Sequence, residues 1–146
     1  AELMNTEAKQ LGATGTHFVN PHGLHDENHY TTTYDLYLMF NEALKDQAFL
    51  DIISMNSYTA KVTSADGTSY TPTWQATNYY SAGEATPPDG IHVYGGKTGT
   101  TDQAGNCVIL YEKNTAGEPY ISVIMGASDK PLLYEEMNEL LDAGMK

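Results

Sequence analysis

Three groups of residues in this chain have types and spacings that could do chemistry. The first is Lys97-Thr98-Gly99-Thr100-Thr101, a K-T-G triad on what reads as a strand entering a run of sheet. The second is a histidine-rich loop. His22, His25 and His29, with Asp26 and Glu27 between them, are dense enough to suggest a zinc site. Their H-x2-H-x3-H spacing, however, lies in a loop, with no H-E-x-x-H helix. The third is the lone Cys107, in the apolar run from Cys107 to Tyr111, which reads as a buried, inert thiol. A serine nucleophile needs a base beside it. No Ser here has Lys three positions later, and Ser57 precedes Lys61 by four.

The rest of the composition narrows the setting. A chain of 146 residues, 40% of them hydrophobic, can build one domain with a real core. Net charge is −12, and all seven basic residues are Lys. That balance argues against a nucleic-acid partner, which needs a basic footprint, and against an anionic membrane surface. No apolar run approaches the roughly 18 residues of a membrane span. The sequence starts at Ala and shows no signal peptide. It reads as a cytosolic chain or a processed piece of a longer exported protein. With one cysteine there is no intrachain disulfide, and no cofactor is expected.

Periodicity supplies the elements that must position these groups. Met4, Ala8 and Leu11 share a helix face that Gly12 ends, with no capping residue before it. This helix without a beginning suggests that the chain starts inside a larger domain. Thr14 to Tyr30 reads as loop, with a turn at Asn20-Pro21-His22-Gly23. Thr32 can cap a second helix, Asp35 completes a capping-box arrangement, and Leu36, Met39, Phe40, Ala43 and Leu44 form its apolar stripe. A shorter helical turn carries Phe49, Ile52 and Ile53. Tyr58–Thr63 and Thr68–Trp74 flank Asp66-Gly67 as a hairpin, and residues 75–90 read as a long surface loop. Three strands follow, at about His92–Thr98, Asn106–Lys113 and Pro119–Gly126. A last helix has Pro131 in its first turn, and Leu133, Met137, Leu140 and Leu141 facing one way. A sheet of three strands leaves exposed edges; strands from a preceding segment would cover them.

Three ordered stretches carry a resemblance. Met4-Asn5 through Lys9, Leu11-Gly12 and Thr16-His17-Phe18 form the first. Asn20, Gly23-Leu24, His29 to Thr32 and Asp35-Leu36 form the second. Lys97-Thr98-Gly99-Thr100, Asp102, Ala104-Gly105 and Cys107 form the third. In this order they resemble the serine D-Ala-D-Ala carboxypeptidases, low-molecular-mass penicillin-binding proteins of the beta-lactamase-like fold. The resemblance implies an α+β fold of the α/β sandwich type, an antiparallel sheet covered by helices. Residues 1–146 would form one partial domain, the C-terminal part of the catalytic domain. It places the family's S-x-x-K and S-x-N elements before residue 1, so the fragment is expected to lack both and to be inactive alone. The stretch from His92 to Gly96 is longer than the family's link into the triad.

The same resemblance assigns roles. Lys97 would face the nucleophile, polarise the S-x-N hydroxyl and attract the substrate carboxylate. Thr98 and Thr100 would hydrogen-bond that carboxylate, and the Thr100 N–H would be one of two oxyanion-hole donors. Gly99 would let the backbone approach the substrate closely. The implied partners are a peptidoglycan stem peptide ending in D-Ala-D-Ala, beta-lactam antibiotics and the missing N-terminal part of the same protein. The implied location is extracytoplasmic, at the cell envelope. Thr31 and Thr32 are explained by helix capping, and Asp102 by a turn. The tyrosines, among them Tyr79, Tyr80 and Tyr94, are explained by amphipathic surface and strand positions, although they could line a peptide groove. Two other readings stay open. One is a non-catalytic module that holds a peptide or metal through His22, His25 and His29. The other is a homodimer in which each copy covers the other's open sheet edge.

Overall fold

The computed structural model describes residues 1–144. Helix α1 (Glu2–Gln10) buries Ala8 and starts at Ala1 with no side-chain cap. Asn5 ties it to the following loop, donating to Phe18 O at 2.8 Å and accepting from Phe18 N at 2.7 Å. The loop is closed by paired backbone bonds between His17 and Tyr30.

Helix α2 (Thr33–Ala43) has the expected cap, Thr32 Oγ1 accepting from Asp35 N at 3.1 Å. The Asp35 carboxylate does not complete a capping box. It is 4% exposed and accepts from Thr16 Oγ1 at 2.6 Å, and that hydroxyl lies 2.8 Å from Thr31 Oγ1. The acid thus holds the preceding loop against α2. Asp35→Ala would leave the Thr16 hydroxyl without its acceptor and cost about 2 kcal/mol. The expected result is a lower urea midpoint with an unchanged m-value. Helix α3 (Gln47–Ile53) is capped by Asp46 and joined to α2 by an edge-on Phe40–Phe49 contact.

The sequence predicts one hairpin after α3, and the structure divides it. Strand β1 (Ser57–Thr59) pairs with β4 (Thr73–Gln75), and β2 (Val62–Thr63) pairs with β3 (Ser69–Tyr70). The break falls at Pro72, which has no N–H to donate; only its carbonyl is used, by Ala60 N. The loop predicted over 75–90 contains a short helix, α4 (Tyr79–Ala82), capped by Asn78 accepting from Tyr80 N and Ser81 N.

The main sheet is antiparallel, in the order β5 (Ile91–Thr101), β6 (Gly105–Asn114), β7 (Pro119–Ala127). Helix α5 (Lys130–Gly144) covers one face. Val108, Leu110, Leu133, Tyr134, Met137 and Leu141 form the core there. Leu140 is a correction to the predicted stripe. It is 42% exposed, and Tyr134 is buried in its stead. The buried arc centres between Met137 and Leu141, and that leaves Leu140 at its rim. On the opposite sheet face, Leu36 of α2 approaches Cys107 and Ile109. The α+β sandwich predicted from sequence is therefore the architecture found. Among the described residues, β5 and β7 each keep one edge unpaired by another strand.

One core position is polar. Glu112 lies on the α5 face with Val108 and Leu110 and is 1% exposed. Its Oε1 accepts from Ser122 Oγ at 2.6 Å, and its Oε2 has no partner among the described residues. Burial pushes this carboxyl up to about 7, and the Ser122 hydrogen bond offsets only part of that.

Candidate active site

Strand β5 carries Lys97, Thr98, Gly99 and Thr100 in register with Ile109, Val108, Cys107 and Asn106 of β6. Alternation along the strand sends their side chains to opposite faces. Lys97 lines a cavity of about 190 Å³ with Leu36, Thr98, Gly99, Cys107 and Ile109, and its ammonium donates to the Thr98 carbonyl. Thr98 and Thr100 line a second cavity, of about 160 Å³, with Thr77, Asn106, Lys130 and Tyr134. Thr98 Oγ1 lies 2.7 Å from Thr77 Oγ1, and Thr100 Oγ1 donates to Asn106 Oδ1 at 3.3 Å. Gly99 is exposed, with no atom within 4 Å of where a Cβ would stand. The strand therefore offers a cation on one side, hydroxyls on the other and an unobstructed backbone between.

Thr77 is held in place by α4 and α5. The Tyr134 ring stacks on Tyr79 at 4.4 Å, and its hydroxyl accepts from Tyr79 N at 2.9 Å. Tyr80 donates to Asn138 at 2.8 Å. These two tyrosines clamp the loop to the last helix. Tyr94 stands elsewhere, at a register break between Val93 and Gly95, where Lys113 lies 5.0 Å from its ring centroid. The extra length before the triad is thus absorbed as a bulge in β5.

Beneath the bulge, β5 meets α3 backbone to backbone. A Cβ on Gly95 would stand 1.9 Å from Ile53 O, and one on Gly96 would stand 2.1 Å from Ile109 O. Only glycine permits either approach.

Two sequence expectations need correction. The tripeptide Ser54-Met55-Asn56 does have the S-x-N spelling, so the chain does not lack it as a string. Ser54 closes α3 and donates to Leu50 O at 2.8 Å, and none of the three residues lines the Lys97 cavity. The metal reading of His22, His25 and His29 also fails. Among the described residues, no three His, Cys, Asp or Glu side chains stand close enough to hold an ion. Two of these rings serve the loop: His29 Nδ1 accepts from Val19 N, and His22 Nδ1 from Leu24 N.

Lys130 was not legible as a site residue. It is the second cation at the triad strand and shares the cavity of Thr98 and Thr100. No spacing links it to residues some thirty positions earlier; only the packing of α5 does.

A K-T-G strand in an antiparallel sheet flanked by helices on both faces is the arrangement that the resemblance to the penicillin-recognising serine enzymes implies. Residues 1–129 match the D-alanyl-D-alanine carboxypeptidase family, peptidase family S11, and the chain belongs to it. A D-alanyl-D-alanine carboxypeptidase of Streptomyces sp. strain K15 is 27% identical over 97% of this chain and 46% of its own length. The enzyme DacF of Bacillus subtilis is 28% identical over 95% of this chain and 33% of its own length. The crystal structure of the Streptomyces K15 DD-transpeptidase superimposes with a TM-score of 0.86 at 26% identity, over 97% of this chain and 52% of that one. The chain thus spans from a third to just over half of these relatives.

Proposed function

We propose that this chain supplies the triad wall of a serine-type D-Ala-D-Ala carboxypeptidase that trims peptidoglycan stem peptides and is acylated by penicillin. The carrying observation is the two-sided strand edge: Lys97 on one face, Thr98 and Thr100 with Lys130 on the other, and open backbone at Gly99. The reaction begins when a serine hydroxyl attacks the carbonyl carbon of the penultimate D-alanine. The oxygen that gains charge accepts a hydrogen bond from Thr100 N–H. Collapse breaks the peptide bond, a proton passes to the departing amine, and the terminal D-alanine leaves. Water then hydrolyses the acyl ester.

Within this scheme Lys97 orients and polarises the groups around the nucleophile. Thr98, Thr100 and Lys130 receive the terminal carboxylate, as a cavity with several hydroxyls and one ammonium can. No Ser in the chain has Lys three positions later, so the nucleophile comes from a segment outside these 146 residues. The site of action is the cell envelope, outside the cytoplasmic membrane. No helix among the described residues is long and apolar enough to cross a membrane.

The test is incubation with penicillin followed by intact mass. The chain alone is expected to keep its mass, and a refolded complex with a segment bearing S-x-x-K is expected to gain one adduct. An adduct on the chain alone would place a nucleophile within it. A complex that folds but does not acylate would sink the carboxypeptidase reading.

A further inference from the structure

We propose that the cleft between the end of α3 and the β1–β4 hairpin binds a neutral sugar ring of the glycan that bears the stem peptides. This rests on the carboxypeptidase reading and extends it from the peptide to its carrier. The cleft measures about 590 Å³ and is walled by Ile52, Met55, Tyr58 and Trp74. Tyr58 and Trp74 are cross-strand partners whose rings lie within 13° of parallel, with centroids 6.4 Å apart. They are 55% and 53% exposed, and Ile52 is 64% exposed. A contiguous aromatic and aliphatic surface left in solvent marks a binding surface.

Charge and hydrogen bonding narrow the occupant. No side chain lining the cleft is charged, although the chain as a whole carries −12. A cationic ligand finds no carboxylate here, and an anionic one meets net repulsion. The Tyr58 hydroxyl and Trp74 N–H make no hydrogen bond among the described residues, and Ser57 and Gln75 stand at the rim. Flat apolar faces edged by free polar groups suit a ring with C–H groups on its faces and hydroxyls around its edge. An uncharged pyranose has that form; a lipid chain would leave the polar groups without partners.

Position ties the cleft to the triad. Ala76 is at its edge, and the next residue, Thr77, stands 2.7 Å from Thr98 through their hydroxyls. The other wall ends at Ile53, whose carbonyl abuts Gly95, two residues before Lys97. The cleft is therefore joined to the triad strand on both sides, through Ala76–Thr77 and through Ile53–Gly95.

Trp74 is the chain's single tryptophan, so its fluorescence reports on this cleft alone. The probe is N-acetylglucosamine trimer, which has no peptide and no charge. The expected result is a saturable emission change whose apparent affinity falls about tenfold in Tyr58→Ala. In the unaltered chain, saturating aromatic protons should transfer magnetisation to the sugar's ring C–H protons, a readout that needs no variant to fold. No emission change at millimolar sugar, or transfer to the acetyl methyl alone, overturns the inference. So does an emission change that follows protein concentration without sugar, or one produced by neutral lipid vesicles and not by the trimer. Penicillin acylation of the complex is scored separately. Acylation without sugar binding removes the glycan site and leaves the carboxypeptidase reading intact; sugar binding without acylation does the reverse.

Discussion

Replacing Lys97 with alanine is expected to slow penicillin acylation of the assembled enzyme about a thousandfold, the upper range for losing one preorganised electrostatic contact. The reason is its place in the fold. Lys97 is exposed, and among the described residues its ammonium bonds only the neighbouring Thr98 carbonyl. It supports no core, so the variant should keep the parent's melting temperature. The other cation at the strand cannot stand in, because Lys130 lines the cavity on the opposite face. Lys97→Arg should recover little, since a planar fork does not reproduce a compact ammonium. Lys130→Ala makes the contrast. It should raise KM for a peptide with a free carboxylate far more than it lowers kcat, the pattern of lost ground-state binding. Equal loss of kcat in both variants would mean that the two cations share one role. The measurement is the rate of adduct formation by mass, beside steady-state release of D-alanine.

Stability should fall as pH rises from about 4.5 to beyond 7, and Glu112 is the cause. The folded carboxyl is raised to about 7 by burial. The unfolded one titrates in the ordinary carboxylate range. Between these two values the folded chain holds a proton that the unfolded chain has released. Stability therefore declines through this interval and levels off above it. The full loss is about 3 kcal/mol, at about 1.4 kcal/mol for each tenfold weakening of the acid on folding. Several groups face the acid. Ser122 Oγ donates to Oε1, Tyr120 is its register partner in β7, and Val93 is its register partner in β5. The Tyr80 phenol of α4 is itself pushed up, by burial first and by Glu112 among its charges. No cation is among them. Glu112→Gln keeps an acceptor for Ser122 and cannot ionise, so its unfolding midpoint should be flat over the same interval. A midpoint with the same slope in wild type and variant would assign the pH dependence elsewhere.

How much of this was written locally can be judged residue by residue. The Thr32 cap, the uncapped first helix and the three long strands are short-range patterns, and the structure has them. Glu112 had a readable signal: it continues the alternation of Val108 and Leu110, which assigns it to the buried face. The split hairpin was also signalled, since Pro72 interrupts a stretch otherwise rich in β-formers. Lys130, Thr77 and the aromatic clamp of Tyr79 on Tyr134 had none. Each acts across the fold, and a stack or shared cavity between residues 21 to 55 positions apart leaves no periodic trace. The triad itself was legible as a string, but not that Lys97 and Thr100 stand at different cavities with Thr98 bordering both. That division follows from the pleat of β5 and from where α2 and α5 lie against it.

The contact of Gly95 with Ile53 has a consequence for how this surface can vary. Two backbones touch with no side chain between them, so the offset between the aromatic cleft and the triad is not adjustable by ordinary substitution. Residues on either wall can be exchanged while the interval between the cleft and the triad stays constant. The junction acts as a ruler. A polymer engaged at both points would be measured against it, and any relative that lengthened this interval would have to rebuild the backbone of α3.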